Sequence, residues 1–376
     1  MNLTKKLITI VIFSILLLTS CQKANQTPTP GALTDTPEIS DPLPTITEEP
    51  ENSYPTKGPT PTTDPEPQSP TETNTPSMDE MNFMEMVNEL SLETPASLKW
   101  CLDQTCIILS SYEGFSVLSY PDFEELFSFS AGENEFLIDV SSDGKTYAMT
   151  TNNEELLIRN WELESENVIQ TGTYFMGGRF SPDGNSIMIA SGEKWGGLIF
   201  DVASGNLQTT LTGFETAAPV YNVSFGQNPN YAIWLARATI QVSEIETNQL
   251  YPAIFHQDFI MAYDMNPAGT LLATSAAEAV GDEFLPTVFL YDFMTNELVD
   301  KFNTEKAIYS LLFSPDNSAL VLSLGNSIQQ YDVETKQLTT LMNTEGEAIS
   351  QVSYSPDGTI LVSSSEGLVF KFFSLK

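Results

Sequence analysis

His256 is the only histidine in the chain, and this limits the chemistry that the sequence can support. A single imidazole cannot form a metal site with several histidines. A Ser-His-Asp relay also needs a nucleophile motif, which the sequence lacks. Acidic residues dominate the ionisable groups: 50 Asp and Glu against 15 Lys and Arg give a formal net charge of -35. Such a chain repels nucleic acid, which is bound by clustered Lys and Arg. We expect no nucleic-acid partner, no metal site, no cofactor and no catalytic residue.

Four aspartates recur in similar segments, in which Ser stands two positions before the Asp and Gly or Asn follows it. They are Asp143, Asp183, Asp316 and Asp357. Repeated carboxylates could bind calcium or act in acid-base chemistry, but no segment has the spacing of an acidic calcium loop. The sequence Ser-Pro-Asp-Gly favours a tight turn whose carboxylate accepts local backbone N–H groups. The pattern therefore indicates turns rather than a catalytic or metal site.

Cys101 and Cys106 flank a four-residue turn, which would place them opposite each other on adjoining strands. Facing residues in a non-hydrogen-bonded strand pair lie about 4.5 Å apart between Cα atoms, within the disulfide range. An exported protein also meets an oxidising environment. We predict a structural disulfide; two unbridged thiols and a redox pair are the alternatives.

The aspartate turns belong to a repeat that covers most of the chain. With degenerate copies included, the third turn residue falls at positions 103, 143, 183, 228, 268, 316 and 357. Seven copies spaced by about 40 residues are typical of a propeller. Each copy has a short apolar strand before the turn and three strands after it, which makes one four-stranded blade. The sequence predicts an all-β, seven-bladed β-propeller over residues 79–376.

The two ends of the repeat region predict how the ring closes. The last copy ends after its third strand, at residues 370–375. Ahead of the first copy, the segment Asn88-Glu89-Leu90-Ser91-Leu92 looks like the fourth-strand segment NELVDKF. We expect residues 87–92 to supply the outer strand of the seventh blade, which would cover an otherwise exposed edge.

The N-terminal residues predict an export signal and a lipid anchor. Lys5 and Lys6 precede an apolar run over residues 7–18, which is too short for a comfortable membrane span. The ending Leu-Thr-Ser-Cys at Cys21 resembles the lipobox of bacterial lipoproteins. The resemblance implies a signal peptide at residues 1–20, acylation of Cys21 with chains such as palmitate, and a lipid-anchored, extracytoplasmic place in the bacterial cell envelope. An ordinary secretory signal that happens to contain a Cys is the alternative.

Residues 22–78 form a Pro/Thr/Glu-rich linker that holds 13 of the 23 prolines. Such a segment cannot bury enough apolar area to offset the entropy of ordering it. We expect residues 21–78 to be a lipidated Cys followed by a disordered tether. An O-glycosylated stalk and a proline-recognition ligand are the alternatives.

Over residues 87–376 the chain resembles the WD-repeat propeller family. The repeat length, the Ser-Pro-Asp-Gly turn and the aromatic-Asp pairs that end third strands carry this resemblance. These pairs are Phe200-Asp201, Tyr291-Asp292 and Tyr331-Asp332. No Gly-His pair opens a repeat and no third strand ends in Trp-Asp, so the family's His-Ser-Trp-Asp network cannot form.

The candidate binding residues lie in loops between second and third strands and between blades, which usually form the functional face of a propeller. Trp and Arg are enriched at binding hot spots, so Trp195 and Arg237 are the first choices. The further candidates are Tyr174, Phe175, His256, Phe259 and the insertion at residues 276–286. For any one of them, packing within its own blade is the alternative.

The sequence favours a non-enzymatic, monomeric recognition module for a protein or carbohydrate, because it contains no nucleophile motif, metal spacing or phosphate-binding loop. Residues 79–376 hold 41 acidic and 11 basic residues, which favours cationic partners. The alternative is a propeller enzyme of the lactonase or quinone-dependent dehydrogenase type. Its polar residues would come from separate blades and meet at the central channel.

Overall fold

The computed structural model describes residues 84–376 except 112, 192–195, 214–219, 221, 282, 345, 347 and 376. The described residues form strands, turns and loops, and none of them is helical. Accordingly, no helix that could cross a membrane occurs among them. The predicted signal peptide, Cys21, the linker and Trp195 all lie outside the described residues.

The described part begins with a strand that precedes the first repeat, β1 (Met84–Ser91). The first blade comprises β2 (Ser97–Trp100), β3 (Cys106–Ser111), β4 (Gly114–Ser119) and β5 (Glu125–Ser130). The second comprises β6 (Phe136–Val140), β7 (Thr146–Thr150), β8 (Glu155–Asn160) and β9 (Ser165–Gln170). The third comprises β10 (Phe175–Phe180), β11 (Ser186–Ser191), β12 (Gly196–Asp201) and β13 (Leu207–Leu211).

The fourth blade has five strands, β14 (Asn222–Phe225), β15 (Tyr231–Ala236), β16 (Thr239–Glu244), β17 (Gln249–Leu250) and β18 (Ile254–Phe255). The fifth comprises β19 (Ala262–Met265), β20 (Leu271–Val280), β21 (Glu283–Asp292) and β22 (Glu297–Asn303). The sixth comprises β23 (Ile308–Phe313), β24 (Ala319–Leu324), β25 (Ser327–Asp332) and β26 (Leu338–Asn343). The seventh uses β27 (Gln351–Tyr354), β28 (Ile360–Ser365) and β29 (Val369–Leu375) together with β1.

The predicted seven-bladed propeller is confirmed: the strands form seven antiparallel sheets, which follow chain order except that β1 lies beside β29 in the seventh blade and β17 and β18 both pair with β16 in the fourth. First strands of neighbouring blades contact one another, as β6, β10 and β14 do, so the first strands surround the central axis. The strands of a blade alternate in direction, so each loop type falls on one side of the ring. We call the side with the connections between blades and the turns between second and third strands the upper face. The opposite side is the lower face.

The core lies between the blades. The described buried side chains form seven apolar clusters, and each cluster joins two neighbouring blades. Second strands are buried on both faces, which is why β11 (SIMIAS) is a continuous run of apolar and small residues. Because every blade needs a neighbour on each side, the ring is stable only when it is closed.

The ring is closed by β1, which pairs with β29 from Met84↔Leu375 to Ser91↔Val369. The strand begins three residues earlier than the expected segment 87–92 and ends one residue earlier. Its partner β29 extends to Leu375, so pairing continues to Met84 past an irregularity between Met86 and Asn88. Leu92 lies beyond the strand but still donates its backbone N–H to Leu368 O at 2.7 Å.

The repeated aspartates stabilise turns on the lower face. In the third blade, Ser181 Oγ donates to Asp183 Oδ1 at 2.6 Å and accepts the backbone N–H of Ser186 at 2.9 Å. The same carboxylate accepts the backbone N–H of Asn185 at 3.0 Å. These hydrogen bonds, that of Ser181 first, lower the pKa of Asp183. Asp316 and Asp357 have equivalent bonds, and the pKa of each is lowered by a Ser hydroxyl in the same way.

Cys101 and Cys106 are joined by a disulfide across the corresponding turn of the first blade. Their Cα atoms lie 5.2 Å apart, and Cys101 N donates to Cys106 O at 3.0 Å. Both residues are buried in the cluster between the first and second blades. The disulfide therefore occupies the place that a Ser-Asp bond occupies in the second, third, sixth and seventh blades.

Candidate functional site

The fifth blade departs from the repeat through two long central strands. β20 and β21 pair over ten positions, from Leu271↔Asp292 to Val280↔Glu283. The pairing of β20 with β19 ends at Ser275, and that of β21 with β22 ends at Thr287. Residues 277–281 and 283–285 therefore form a two-stranded projection from the upper face, which we call the blade-five extension. The sequence predicted an insertion here, and the structure shows that it continues the strands.

The fourth blade departs from the repeat in its outer strand. β17 and β18 both pair with β16, and Pro252 interrupts them because it has no N–H to donate. β18 then ends at Phe255, and residues 256–261 cross to the fifth blade. We call residues 256–261 the blade four–five connector. A hydrogen bond from Ala279 N to Gln257 Oε1 of 3.2 Å ties the connector to the blade-five extension.

His256 anchors the connector against the fifth blade. Its Nε2 lies 3.0 Å from Thr274 Oγ1, and its ring centroid lies 4.7 Å from that of Phe289. Its backbone N–H donates to Ala238 O at 2.8 Å. Desolvation in this mostly buried place lowers the pKa of His256 to about 4. The imidazole is therefore neutral at pH 7, and its contacts hold the connector against the fifth blade.

Arg237 holds the middle of the connector from the fourth blade. It is the first residue of the two-residue turn between β15 and β16, where its φ is 58°. The same position of the sixth blade is Gly325, also with φ 58°, because this left-handed conformation favours glycine. The Arg237 guanidinium carbon lies 5.2 Å from the ring centroid of Phe259, and Arg237 O accepts the N–H of Ile260 at 3.2 Å.

Five large apolar side chains around this junction are exposed to solvent, and we call them the upper apolar patch. They are Phe255 (62% exposed), Phe259 (46%), Met261 (62%), Val280 (48%) and Phe284 (65%). Side chains alternate along β20, so Val280 lies on the same face of its blade as Thr274, toward the connector. Phe284 pairs with Ala279 and lies on the opposite face of the extension. The patch thus covers the connector and both sides of the extension.

The structure brings together three of the predicted binding residues, Arg237, His256 and Phe259. Tyr174 is exposed but lies in the connection between the second and third blades, where its hydroxyl accepts Asn153 Nδ2 at 3.1 Å. The prediction for Phe175 is wrong, because this side chain is fully buried in the cluster between those blades. Four patch residues were not predicted individually: Phe255, Met261, Val280 and Phe284.

The polar groups near the central axis tie blades together. Asp139 Oδ2 accepts the N–H of Phe180 at 2.9 Å across the second and third blades, and Asp264 Oδ2 accepts that of Phe313 at 2.8 Å across the fifth and sixth. Desolvation raises the pKa of Asp264 to about 7 despite these bonds. Arg237 and His256 lie in upper-face segments and contact neither carboxylate. Within the described ranges, no group of three or more His, Cys, Asp or Glu side chains is placed to hold a metal ion.

The fold is a seven-bladed β-propeller in which six blades have four strands and one blade has five. A family model described as WD domain, G-beta repeat matches residues 335–372 of the chain. The matched segment includes β26, the outer strand of the sixth blade, and continues through β27 and β28 into β29. The matched segment therefore combines the outer strand of one blade with the three inner strands of the next. The seventh blade is formed in the same way, since its outer strand β1 comes from the segment before the first repeat.

Proposed function

We propose that this protein is a recognition module outside the cytoplasm, tethered to a membrane through Cys21, which binds a protein partner with the upper apolar patch. The observation that carries the proposal is the concentration of five exposed large apolar side chains at one junction of the ring. Large apolar side chains that are exposed together mark interaction sites more often than singly scattered ones do. The WD-type propeller supports this function, since such folds commonly act as scaffolds for protein interaction.

The patch has the features of a protein-binding surface. Aromatic and Met side chains are enriched at the centres of protein interfaces, as is Arg. Phe255, Phe259 and Phe284 supply rigid anchors, and the cation of Arg237 orients one of them. Phe, Met and Val offer no hydrogen bonds to sugar hydroxyls, which favours a protein over a carbohydrate partner.

The recognition part of the proposal is tested by affinity enrichment from cells that express the chain. The wild type is compared with the double variant F259A/F284A and with the control L102A/L163A, which removes lower-face apolar side chains of similar exposure, 54% and 73%. We expect proteins that are recovered with the wild type and the control and are lost with F259A/F284A. Equal recovery with all three chains would contradict the proposal.

The tether is tested separately by metabolic labelling with a fatty-acid analogue. We expect the wild type to be labelled and recovered with membranes, and Cys21→Ala to be unlabelled and released. An unlabelled wild type, or an unchanged membrane fraction of the variant, would contradict the anchor without affecting the recognition surface.

A further inference from the structure

We infer that the partner segment bound by the upper apolar patch is basic, so that it combines large apolar side chains with Lys or Arg. This inference rests on the proposed function and specifies the chemistry of the partner. It comes from the charges that border the patch and from the charge of the propeller as a whole.

The carboxylates at the patch are placed to meet a cation. Asp258 lies in the connector next to Phe259, and Glu283 pairs with Val280 across the extension; both side chains are exposed. In the described ranges, neither carboxylate forms an ion pair. Glu278 lies on the same face of β20 as Val280 and is paired with Lys301 at 2.7 Å. The connector side of the patch therefore carries Phe259 next to Asp258 and Val280 next to Glu283, so each of these apolar side chains has an exposed carboxylate beside it.

The cations near the patch are already engaged within the protein. Lys301 is paired with Glu278, and Arg237 lies over the ring of Phe259. The propeller region as a whole has 41 acidic and 11 basic residues. A field of this sign speeds the approach of basic segments and disfavours acidic ones. A basic apolar segment is therefore the occupant whose charge and surface both fit.

The other occupants of an apolar patch are disfavoured by the same charges. In a two-fold dimer the same patch of both copies would form the interface, so the carboxylates of Asp258 and Glu283 from both chains would lie in it together. The chain's own residues 22–78 contain nine acidic and two basic residues, so they carry the wrong sign. An anionic lipid surface would be repelled in the same way.

The inference is tested with a phage-displayed library of random peptides, selected on the full chain in detergent. Enriched peptides are synthesised, and their affinities are measured by fluorescence anisotropy for the wild type, F259A/F284A and D258N/E283Q in the same detergent. Thermal unfolding establishes that each variant is folded. We expect enriched peptides with at least two large apolar residues and a net positive charge.

The affinities separate the inference from the proposed function. We expect F259A/F284A to abolish binding and D258N/E283Q to weaken it by about threefold to tenfold, since each close charge pair contributes modestly. Raising the salt from about 0.01 M to about 1 M shortens the Debye length from about 30 Å to about 3 Å, so it should remove the difference between wild type and D258N/E283Q.

Neutral or acidic peptides that need the aromatic residues but ignore D258N/E283Q would overturn the inference and leave the proposed function standing. Failure to find any peptide that distinguishes the wild type from F259A/F284A would overturn both. A dimer of the full chain that dissociates in F259A/F284A would identify a second copy as the occupant and would also overturn the inference.

Discussion

The lower-face turns and the junction of the fourth and fifth blades both connect strands of the propeller, but they differ in the side chains that they expose to solvent. In the turn of the third blade, the polar atoms of Ser181 and Asp183 bond to each other and to the local backbone. At the upper junction, Arg237 and His256 instead hold a connector whose Phe255 and Phe259 face solvent. The first arrangement recurs in several blades, whereas the second occurs at one junction of the described ring.

We interpret this difference as one between the scaffold and the proposed recognition surface. A feature that recurs in most blades solves a problem that every blade has, namely ending one strand and starting the next. A feature of one junction that keeps aromatic rings in water has no such structural use. The comparison predicts that lower-face substitutions change stability and leave binding intact, whereas substitutions of the exposed patch residues change binding and leave stability nearly intact.

Removal of β1 is expected to have the largest effect, because it takes away the scaffold that both faces share. A chain starting at residue 97 leaves β29 without its outer partner. We expect the free energy of unfolding to fall by about 5 kcal/mol or more and Tm to fall by about 10 °C or more. Thermal unfolding measures this, with a chain starting at residue 79 as the control. An unchanged transition would contradict closure by β1.

Protonation of His256 is expected to have the next largest effect. Its folded pKa of about 4 lies below the usual value of 6.5, so the neutral form is favoured by folding. The contribution of the neutral ring to the free energy of unfolding is fully present above pH 6.5. This contribution, about 3 kcal/mol in total, is lost as the pH falls from 6.5 through 4. Unfolding by urea at several pH values, compared with His256→Gln, isolates this contribution from carboxylates such as Asp264.

The pKa itself can be measured without assignment, since the chain has one imidazole. The proton NMR signals of that ring should titrate with a midpoint near 4. A midpoint near 6.5 would mean that the imidazole is hydrated and that the connector is not held as described.

A lower-face turn is expected to show a smaller effect on stability alone. Ser181→Ala removes the hydroxyl that bonds Asp183 and Ser186 and should destabilise the fold by about 1–2 kcal/mol. Ser165→Ala, at an exposed position of β9, is the matched control and should be nearly neutral. Urea unfolding gives both values. Loss of partner binding in Ser181→Ala, while the protein remains folded, would break the distinction between the two faces.

Arg237→Gly is expected to have the smallest effect on stability and a clear effect on binding. Glycine adopts φ 58° without strain, so relief of strain offsets the lost contact with Phe259, and the net change should be below about 1 kcal/mol. Arg237→Ala keeps the strain and should be less stable than Arg237→Gly by about 1 kcal/mol. Binding of the partner recovered with the wild type should weaken in both. Full binding by Arg237→Gly would show that the cation does not position the ring.

The repeated parts of this fold could be predicted from the sequence, because the turns depend on local chemistry. Ser and Asp at fixed spacing, followed by Gly or Asn, favour the turn in four of the blades, so positions such as 183 and 357 locate those blades directly. The length of the first turn placed Cys101 opposite Cys106 in the same way. The likeness of residues 88–92 to a fourth strand predicted the closing strand.

The unrepeated parts depend on strand phase and on tertiary contacts. Tyr174 and Phe175 are neighbours of similar chemistry, and an irregularity in β10 after Phe175 breaks the alternation that would show which is buried. The blade-five extension is rich in Ala and Glu, which are poor strand formers, so its strands depend on pairing with each other. Side chains alternate along Ile254-Phe255-His256, and the first and third of them face the fifth blade. Phe255 must therefore face solvent, so this alternation is the signal that could have identified it as an exposed residue.

The most direct test of the upper apolar patch is site-specific photocrosslinking in intact cells. A photoreactive phenylalanine analogue replaces Phe284 in one chain and Leu163 in another; both positions are well exposed, on the upper and lower faces respectively. The account predicts a discrete protein adduct from position 284 that disappears when Phe259→Ala is added, and none from position 163. An adduct from position 163 alone, or equal adducts from both positions, would contradict it.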